Sequence, residues 1–110
     1  MRAYLIDEIF PPDMEKIKGF LKENAIKSNL EQIFWAKIPE EFLNPIQLEH
    51  SQCRPHVFSV ELGADWVKAE LFVRSKITMQ CTCPGYCNKQ QRNYVHNFLD
   101  GMIEQLHITT

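Results

Sequence analysis

Residues 57–83 read VFSVELGADWVKAELFVRSKITMQCTC, and their pattern of apolar and polar side chains predicts a β-hairpin. Residues 57–62 favour a strand, and the GAD triplet that follows them predicts a tight turn. From Val67 every second residue is apolar or small as far as Cys83, a period typical of a strand with one buried face. Because no turn signal interrupts this alternation, we predict one long strand over residues 66–82.

Two strands and two helices are predicted outside the hairpin. Residues 2–9 and 32–38 favour strands, since both are largely apolar and each is followed by proline. Between them apolar residues recur at helical spacing, and Asp13 is the expected N-cap of that helix. The last helix is predicted to begin with Asn88 as its cap and Gln91 three positions later, which is a capping-box pattern.

The predicted element order is β-α-β-β-β-α, with an irregular, proline-containing segment after the second strand. This order indicates an α+β fold: a mostly antiparallel sheet of about four strands with both helices packed on one face. No linker, repeat or low-complexity tract divides the chain. We therefore expect residues 1–110 to form a single domain.

Composition and charge narrow the class of protein. The chain is 45% hydrophobic and 24% charged, which is ordinary for one globular domain. No apolar run approaches the length of about 18 residues that spans a membrane, and acidic side chains lie where a signal peptide needs apolar ones. We therefore expect a cytoplasmic protein without a membrane partner, in which the cysteines stay thiols. The net charge of -2 does not favour general nucleic-acid binding.

Three of the four cysteines lie in the segment CTCPGYC, residues 81–87. Cys81 and Cys83 share a face of the predicted strand. The Pro-Gly pair between Cys83 and Cys87 suits the centre of a type II turn, which would fold Cys87 back toward the other two thiols. The start of the last helix would also stabilise a Cys87 thiolate. We predict a structural zinc site at Cys81, Cys83 and Cys87.

The fourth ligand is harder to predict. The segment from 50 to 56 has the pattern His-x-x-Cys-x-x-His and offers nitrogen and sulfur donors. The predicted hairpin register, however, places Cys53 opposite Ser75, about 20 Å along the strand from Cys81. Only a fold-back of the segment around Pro55 would close that gap. His50 is nearer in this register, so we take His50 as the candidate fourth ligand.

Two other interpretations of the cysteines stay open. Cys81 continues an apolar series, so small core residues explain Cys81 and Cys83 without a metal. A thiol-redox protein using Cys83 and Cys87 is the second alternative, although Cys-x-x-x-Cys is not the spacing of the familiar dithiol oxidoreductases.

The exposed face of the predicted sheet is the remaining feature with functional content. Trp66, Lys68, Phe72 and Arg74 place aromatic and basic groups on one surface. This composition is typical of a protein interface, and it predicts a protein partner or a homodimer. It also suits a platform for single-stranded nucleic acid, which is the alternative. In a third interpretation residues 39–56 cover this face, and the aromatic side chains form a secondary core.

No motif in the chain specifies one activity. The four glycines are isolated, so no phosphate-binding loop is formed, and the patterns Gly-x-Ser-x-Gly and His-Glu-x-x-His are absent from the sequence. The sequence therefore favours a small binding or interaction domain over an enzyme, with zinc as its expected cofactor.

Overall fold

The computed structural model describes residues 2–77 and 81–110. Within them, seven strands and three helices are formed, in the order β1 (Ala3–Ile6), α1 (Pro11–Asn24), β2 (Ile26–Lys27), β3 (Ile33–Lys37), α2 (Pro45–Glu49), β4 (His56–Leu62), β5 (Val67–Glu70), β6 (Phe72–Ser75), β7 (Gly85–Tyr86) and α3 (Lys89–Gln105). Two single 3-10 turns, Glu40–Phe42 and Ser51–Cys53, flank α2. The Arg54–Pro55 peptide bond is cis.

The strands form one open sheet in which neighbouring strands are antiparallel. Its order is β1-β5-β4-β3-β2, and β6 pairs with both β4 and β7. The α+β class and the antiparallel sheet are confirmed. The predicted count of about four strands is wrong for two reasons. β2 and β7 have two residues each, which is too short for an alternating pattern to be visible, and the predicted long strand is divided into β5 and β6.

The core lies between the sheet and the two long helices. Ile17 of α1 and Leu99 of α3 belong to the same buried cluster as Phe58 of β4. The ring of Phe98 in α3 contacts Phe20 of α1 and Phe58, with ring centroids 6.1 and 5.6 Å apart. The apolar faces of both helices therefore cover one side of the sheet, and the other side carries the groove described below.

The predicted long strand over residues 66–82 is corrected by the structure. β5 ends at Glu70 and β6 begins at Phe72, while Leu71 between them donates its N–H to the Arg2 carbonyl and accepts from the Cys87 N–H. Cys81 lies outside the strands, and residues 78–80 of the prediction lie outside the described residues.

The interruption at Leu71 changes the pairing register by two residues. Leu62 pairs with Val67, whereas His56 pairs with Ser75. An even shift leaves each side chain on its original face, because faces alternate with a period of two. The predicted alternation therefore holds as far as Ser75, with these residues buried: Val67, Ala69, Leu71, Val73 and Ser75.

The two long helices begin with different capping residues. α3 begins with the predicted capping box, in which Asn88 and Gln91 exchange side-chain-to-backbone hydrogen bonds. α1 begins earlier than predicted, at Pro11, with Phe10 as N-cap and Asp13 in the first turn. Proline suits the first helical position because its fixed φ is helical and the N–H it lacks is unpaired there in any case.

No helix in the described part of the chain combines the length and apolar character of a membrane span.

Candidate metal centre

Four side chains that can bind a metal meet at one end of the sheet. Each of His50, Cys53, Cys81 and Cys83 offers one donor atom, and the four donors lie within 4.8 Å of one another. His50 Nδ1 lies 2.8 Å from Cys81 Sγ. Two distant parts of the chain supply these donors, one on each side of the hairpin.

The first part is the helical segment before β4. Asn44 and Gln47 form a capping box at the start of α2, and His50 is the C-cap residue at its end. The 3-10 turn then follows, with the Cys53 N–H donating to the His50 carbonyl at 2.9 Å. Because residues three apart are eclipsed in 3-10 geometry, this turn brings His50 and Cys53 onto the same face.

The second part is the segment from Cys81 to Pro84. Its position is set by Gln47, whose Nε2 donates to the Cys83 carbonyl at 3.2 Å. Gln91 of α3 in turn donates from Nε2 to Gln47 Oε1 at 2.9 Å. Both glutamine side chains are fully buried. A chain of buried amides therefore ties α3 and α2 to the backbone of a thiol-bearing residue.

The end of β6 fixes the position of Cys53 through two hydrogen bonds to the backbone of residues 53–55. Ser75 Oγ in β6 donates to the Cys53 carbonyl at 2.6 Å, and the Lys76 N–H donates to the Pro55 carbonyl at 3.1 Å. Cys53 and Cys83 are buried, whereas His50 and Cys81 are partly exposed. The centre thus has a buried side toward the protein and an accessible side toward solvent.

The three thiols of the centre differ in acidity. The backbone N–H of Cys83, together with the Cys53 and Cys83 thiols and His50, lowers the pKa of Cys81 to about 6. Burial raises the pKa of Cys83 to about 12, and donation to the Cys81 sulfur raises the pKa of Cys53. At pH 7 and without a metal, Cys81 is therefore mainly a thiolate, whereas Cys53 and Cys83 keep their protons.

Three sulfurs and one imidazole nitrogen form a donor set that suits zinc. In tetrahedral coordination, with Zn–S distances of about 2.3 Å, neighbouring sulfurs lie about 3.8 Å apart. The 4.8 Å limit on the donor separations is about 1 Å wider than this, so small side-chain movements bring the donors into place. The group is therefore close enough to bind a single metal ion.

Of the four residues predicted for the metal site, the structure brings together Cys81, Cys83 and His50 but not Cys87. Cys87 is part of the hydrophobic core, and burial raises its pKa to about 11 instead of lowering it. The Pro-Gly pair does not form a type II turn, since no glycine among the described residues has the positive φ that this turn requires. Gly85 lies in β7, which directs the chain along β6 and Cys87 into the core.

Cys53 is the donor that the sequence argument excluded. The exclusion assumed that β4 extends back past Pro55 and that residues 76–82 continue the strand. Instead β4 begins at His56, and the chain before it turns into the 3-10 segment. The usable signals were Pro55, which disfavours a continuous strand, and the Asn44-Pro-Ile-Gln47 capping-box pattern, which predicts helical geometry before Cys53.

A groove of about 780 Å³ lies on the sheet face opposite the long helices. Trp35, Val57, Phe72 and Arg74 line it, and Cys81 lies at its end, next to the metal centre. The predicted interface residues Phe72 and Arg74 thus belong to this groove, and residues 39–56, which one interpretation placed over this face, do not line it.

The other two predicted interface residues lie elsewhere. Trp66 and Lys68 line a separate depression near β1, and Lys68 Nζ is 5.4 Å from the centroid of the Trp66 ring. Both basic side chains of the predicted interface are already paired: Lys68 with Glu61 at 3.5 Å, and Arg74 with Glu70 through two hydrogen bonds of 3.1 Å.

The chain matches no protein-family model, no curated protein and no solved structure. The function is therefore inferred from the donor set, the buried amides that position it and the neighbouring groove.

Proposed function

We propose that this protein is a small binding domain whose structure is completed by one zinc ion held by His50, Cys53, Cys81 and Cys83. The observation that carries the proposal is the convergence of these four donors, from two distant segments, to within 4.8 Å of one another. Exposed acidic groups often cluster without a metal, whereas these donors are three cysteines and a histidine, a known ligand set of structural zinc sites.

The donor chemistry favours zinc over other ions. Thiolate and imidazole ligands select zinc, copper(I) or iron–sulfur clusters, whereas magnesium and calcium prefer oxygen donors. The four donors form one compact group, which fits a single ion. Cys₃His is an established zinc set, and four protein ligands leave no open position for a substrate. The proposed role of the ion is therefore structural.

The ion would join two segments that are far apart in sequence, in addition to the hydrogen bond between Gln47 and the Cys83 carbonyl. Its ligands fasten the segment that carries α2 to the segment before β7, at the end of the sheet where β4 and β6 meet. Cys53 and Cys83 do not belong to the main hydrophobic cluster. The proposed zinc therefore supplies a second centre of stability at the edge of the core.

Metal content tests this proposal directly. Protein purified under reducing conditions without a histidine tag is expected to contain one zinc per chain. Cys53→Ala should lose the zinc, whereas Cys87→Ala, a cysteine variant outside the donor group, should keep it. A metal-free wild-type protein, or zinc lost from Cys87→Ala and kept by Cys53→Ala, would contradict the proposal.

Thiol chemistry at Cys81 is the second candidate function. Cys81 has a lowered pKa, is partly exposed and lies beside the thiols of Cys53 and Cys83, which is the environment of a reactive thiolate. Cys83 and Cys87, the redox pair predicted from the sequence, are less suited to thiol chemistry, because burial raises the pKa of both thiols. Metal-free protein with rapid alkylation of Cys81 would favour this candidate over the zinc centre.

The groove on the open sheet face supports the binding role. Its aromatic side chains, Trp35 and Phe72, are the residue type enriched at protein interfaces. We propose that a protein partner or a second copy of the chain covers this face. If a second copy covers the groove, sedimentation should show a dimer in the wild-type protein and a monomer in Phe72→Ser. A wild-type monomer at all concentrations would contradict the dimer and leave a different protein as the proposed partner.

Single-stranded nucleic acid is the less favoured occupant. Two of the basic groups that would contact phosphates, Lys68 and Arg74, form ion pairs with Glu61 and Glu70, and these carboxylates face the groove. Affinity for a single-stranded oligonucleotide that falls steeply with added salt would support nucleic-acid binding.

A further inference from the structure

His56 is a buried imidazole beside the metal centre that does not belong to the four-donor group. It begins β4 and is only 1% exposed. Its Nε2 lies 3.4 Å from Cys83 Sγ, within reach of a hydrogen bond to sulfur. Its Nδ1 is also buried and has no hydrogen-bond partner within the described residues.

The different surroundings of Nε2 and Nδ1 determine which nitrogen carries the proton. A proton on Nδ1 would bury an N–H donor without a partner, which is unfavourable because the donor loses its hydrogen bond to water and gains none in the protein. A proton on Nε2 is directed at the Cys83 sulfur. A doubly protonated ring would leave the same unpaired Nδ1–H. The geometry therefore favours the tautomer in which Nε2 donates to Cys83.

The acceptor is much stronger when the sulfur is bound to a metal. A neutral thiol is a weak acceptor, whereas a thiolate carries charge and accepts a charge-assisted hydrogen bond. Three thiolates and one neutral imidazole around Zn²⁺ leave a net charge of about -1, which donors aimed at the sulfurs offset. A buried, singly partnered His56 is thus better matched to a zinc-bound Cys83 than to a free thiol.

The sheet holds the imidazole in this position. His56 pairs with Ser75 of β6, and its carbonyl accepts from the Ile38 N–H at 2.9 Å. Burial lowers the pKa of His56, and the nearby Arg54 guanidinium acts in the same direction. Backbone pairing on both sides fixes the position of the His56 backbone, and burial of the side chain leaves the ring little room to turn away from Cys83.

We propose that His56 is a positioning residue of the zinc centre: its Nε2–H donates to the Cys83 thiolate, orients that sulfur and strengthens metal binding. This inference rests on the proposed zinc site. It adds a fifth residue to the centre, one that touches a ligand and not the metal.

Cobalt(II) and zinc titrations of three variants test this role. His56→Leu removes the donor and should weaken binding of either metal about 10- to 100-fold. His56→Gln places an amide N–H near the position of Nε2 and should restore most of the affinity. His56→Asn has the same amide on a shorter side chain and should resemble His56→Leu. Unfolding of the metal-free variants establishes that each is folded.

The thiolate-to-cobalt(II) charge-transfer band gives a readout that packing alone does not move. Loss of an N–H donor raises the energy of the sulfur lone pairs, so the band should shift to longer wavelength in His56→Leu and stay near the wild-type position in His56→Gln. Equal affinity and an unshifted band in His56→Leu would overturn the inference, as would equal losses in all three variants without a band shift. Failure of the wild-type protein to bind cobalt(II) or zinc would instead contradict the zinc site itself.

Discussion

Gln91 shows how much one buried side chain connects in this protein. Its Oε1 accepts from the Asn88 N–H, and its Nε2 donates to Gln47 Oε1 and to the Phe42 carbonyl, both at 2.9 Å. It therefore caps α3 and also positions α2, which leads to the metal centre. The Asn88 and Gln91 pair was recognisable as a cap from the sequence, but its contacts with Phe42 and Gln47 depend on the fold.

Replacing Gln91 by leucine tests this connection. The variant breaks the capping box and leaves the Phe42 carbonyl without this donor, so the free energy of unfolding should fall by about 2–4 kcal/mol. Gln90→Leu, on the exposed face of the same helix, should change it by less than about 0.5 kcal/mol. Urea denaturation measures both. Equal effects of the two substitutions would show that the buried amide contacts contribute nothing.

The acidity of the three thiols predicts how zinc binding depends on pH. In the metal-free protein at pH 7 the Cys81 pKa of about 6 leaves a thiolate, whereas Cys53 and Cys83, whose pKa values are raised, stay protonated. Zinc requires all three thiolates, so binding should release about two protons and affinity should rise with pH. Calorimetry in buffers of different ionisation enthalpy counts the protons. Release of three would contradict the low pKa of Cys81, and release of none would contradict ligation by thiolates.

At the scale of elements, the two long helices each carry an exposed glycine. A Cβ built on Gly19 of α1 or Gly101 of α3 meets no atom within 4 Å, apart from its own helix and chain neighbours. Alanine at either position should therefore stabilise the protein by about 1 kcal/mol, because glycine is the weaker helix former. Thermal unfolding checks this, with the double variant expected to show the sum. A lower melting temperature for either single variant would contradict the open surroundings of these positions.

The sheet shows which part of an element a sequence pattern can predict. Alternation identified the buried and exposed faces of residues 67–75, because side-chain direction follows from strand geometry alone. It did not identify the interruption at Leu71. The backbone of Leu71 forms hydrogen bonds with Arg2 and Cys87, both of which are far from it in sequence. Register depends on such non-local contacts. Cys53 was excluded for a related reason, because the strand was extended back past Pro55, whereas β4 begins at His56.

The candidate site was predictable in a similar, partial way. Cys81 and Cys83 followed from cysteine spacing, and His50 from its distance along the predicted strand. Cys87 was assigned on local turn chemistry, whereas β7 pairing carries it into the core. Short strands such as β7 leave no periodic signal, so their effect on nearby residues is visible only in the structure.

At the scale of the whole molecule, the main core and the metal centre are separate sources of stability. The hydrophobic cluster contains residues of both long helices and most strands, and Cys87 is its only cysteine among the described residues. Removal of zinc should therefore leave the sheet and long helices folded while the ligand segments lose order. The loss in stability should be about 4 kcal/mol if free zinc is a thousandfold above its dissociation constant.

Hydrogen exchange before and after chelation tests this separation. Amides of residues 45–56 and 81–84 should lose protection, whereas amides in the centre of α3 should keep it. The Cys87→Ala variant should show the same response to chelation as the wild-type protein, since Cys87 is not among the donors. Complete unfolding on chelation, or unchanged protection in both ligand segments, would contradict a separate metal centre.

The coordination shell of the bound metal is the most direct test of the central claim. X-ray absorption at the zinc edge, on untagged protein, should show three sulfur neighbours at about 2.3 Å and one nitrogen neighbour at about 2.0 Å. The sulfur count should stay at three in Cys87→Ser, whereas Cys53→Ser, which lacks one of the four donors, should no longer retain the zinc. Absence of bound zinc, or a shell of nitrogen and oxygen alone, would contradict the assignment of His50, Cys53, Cys81 and Cys83 as a zinc site.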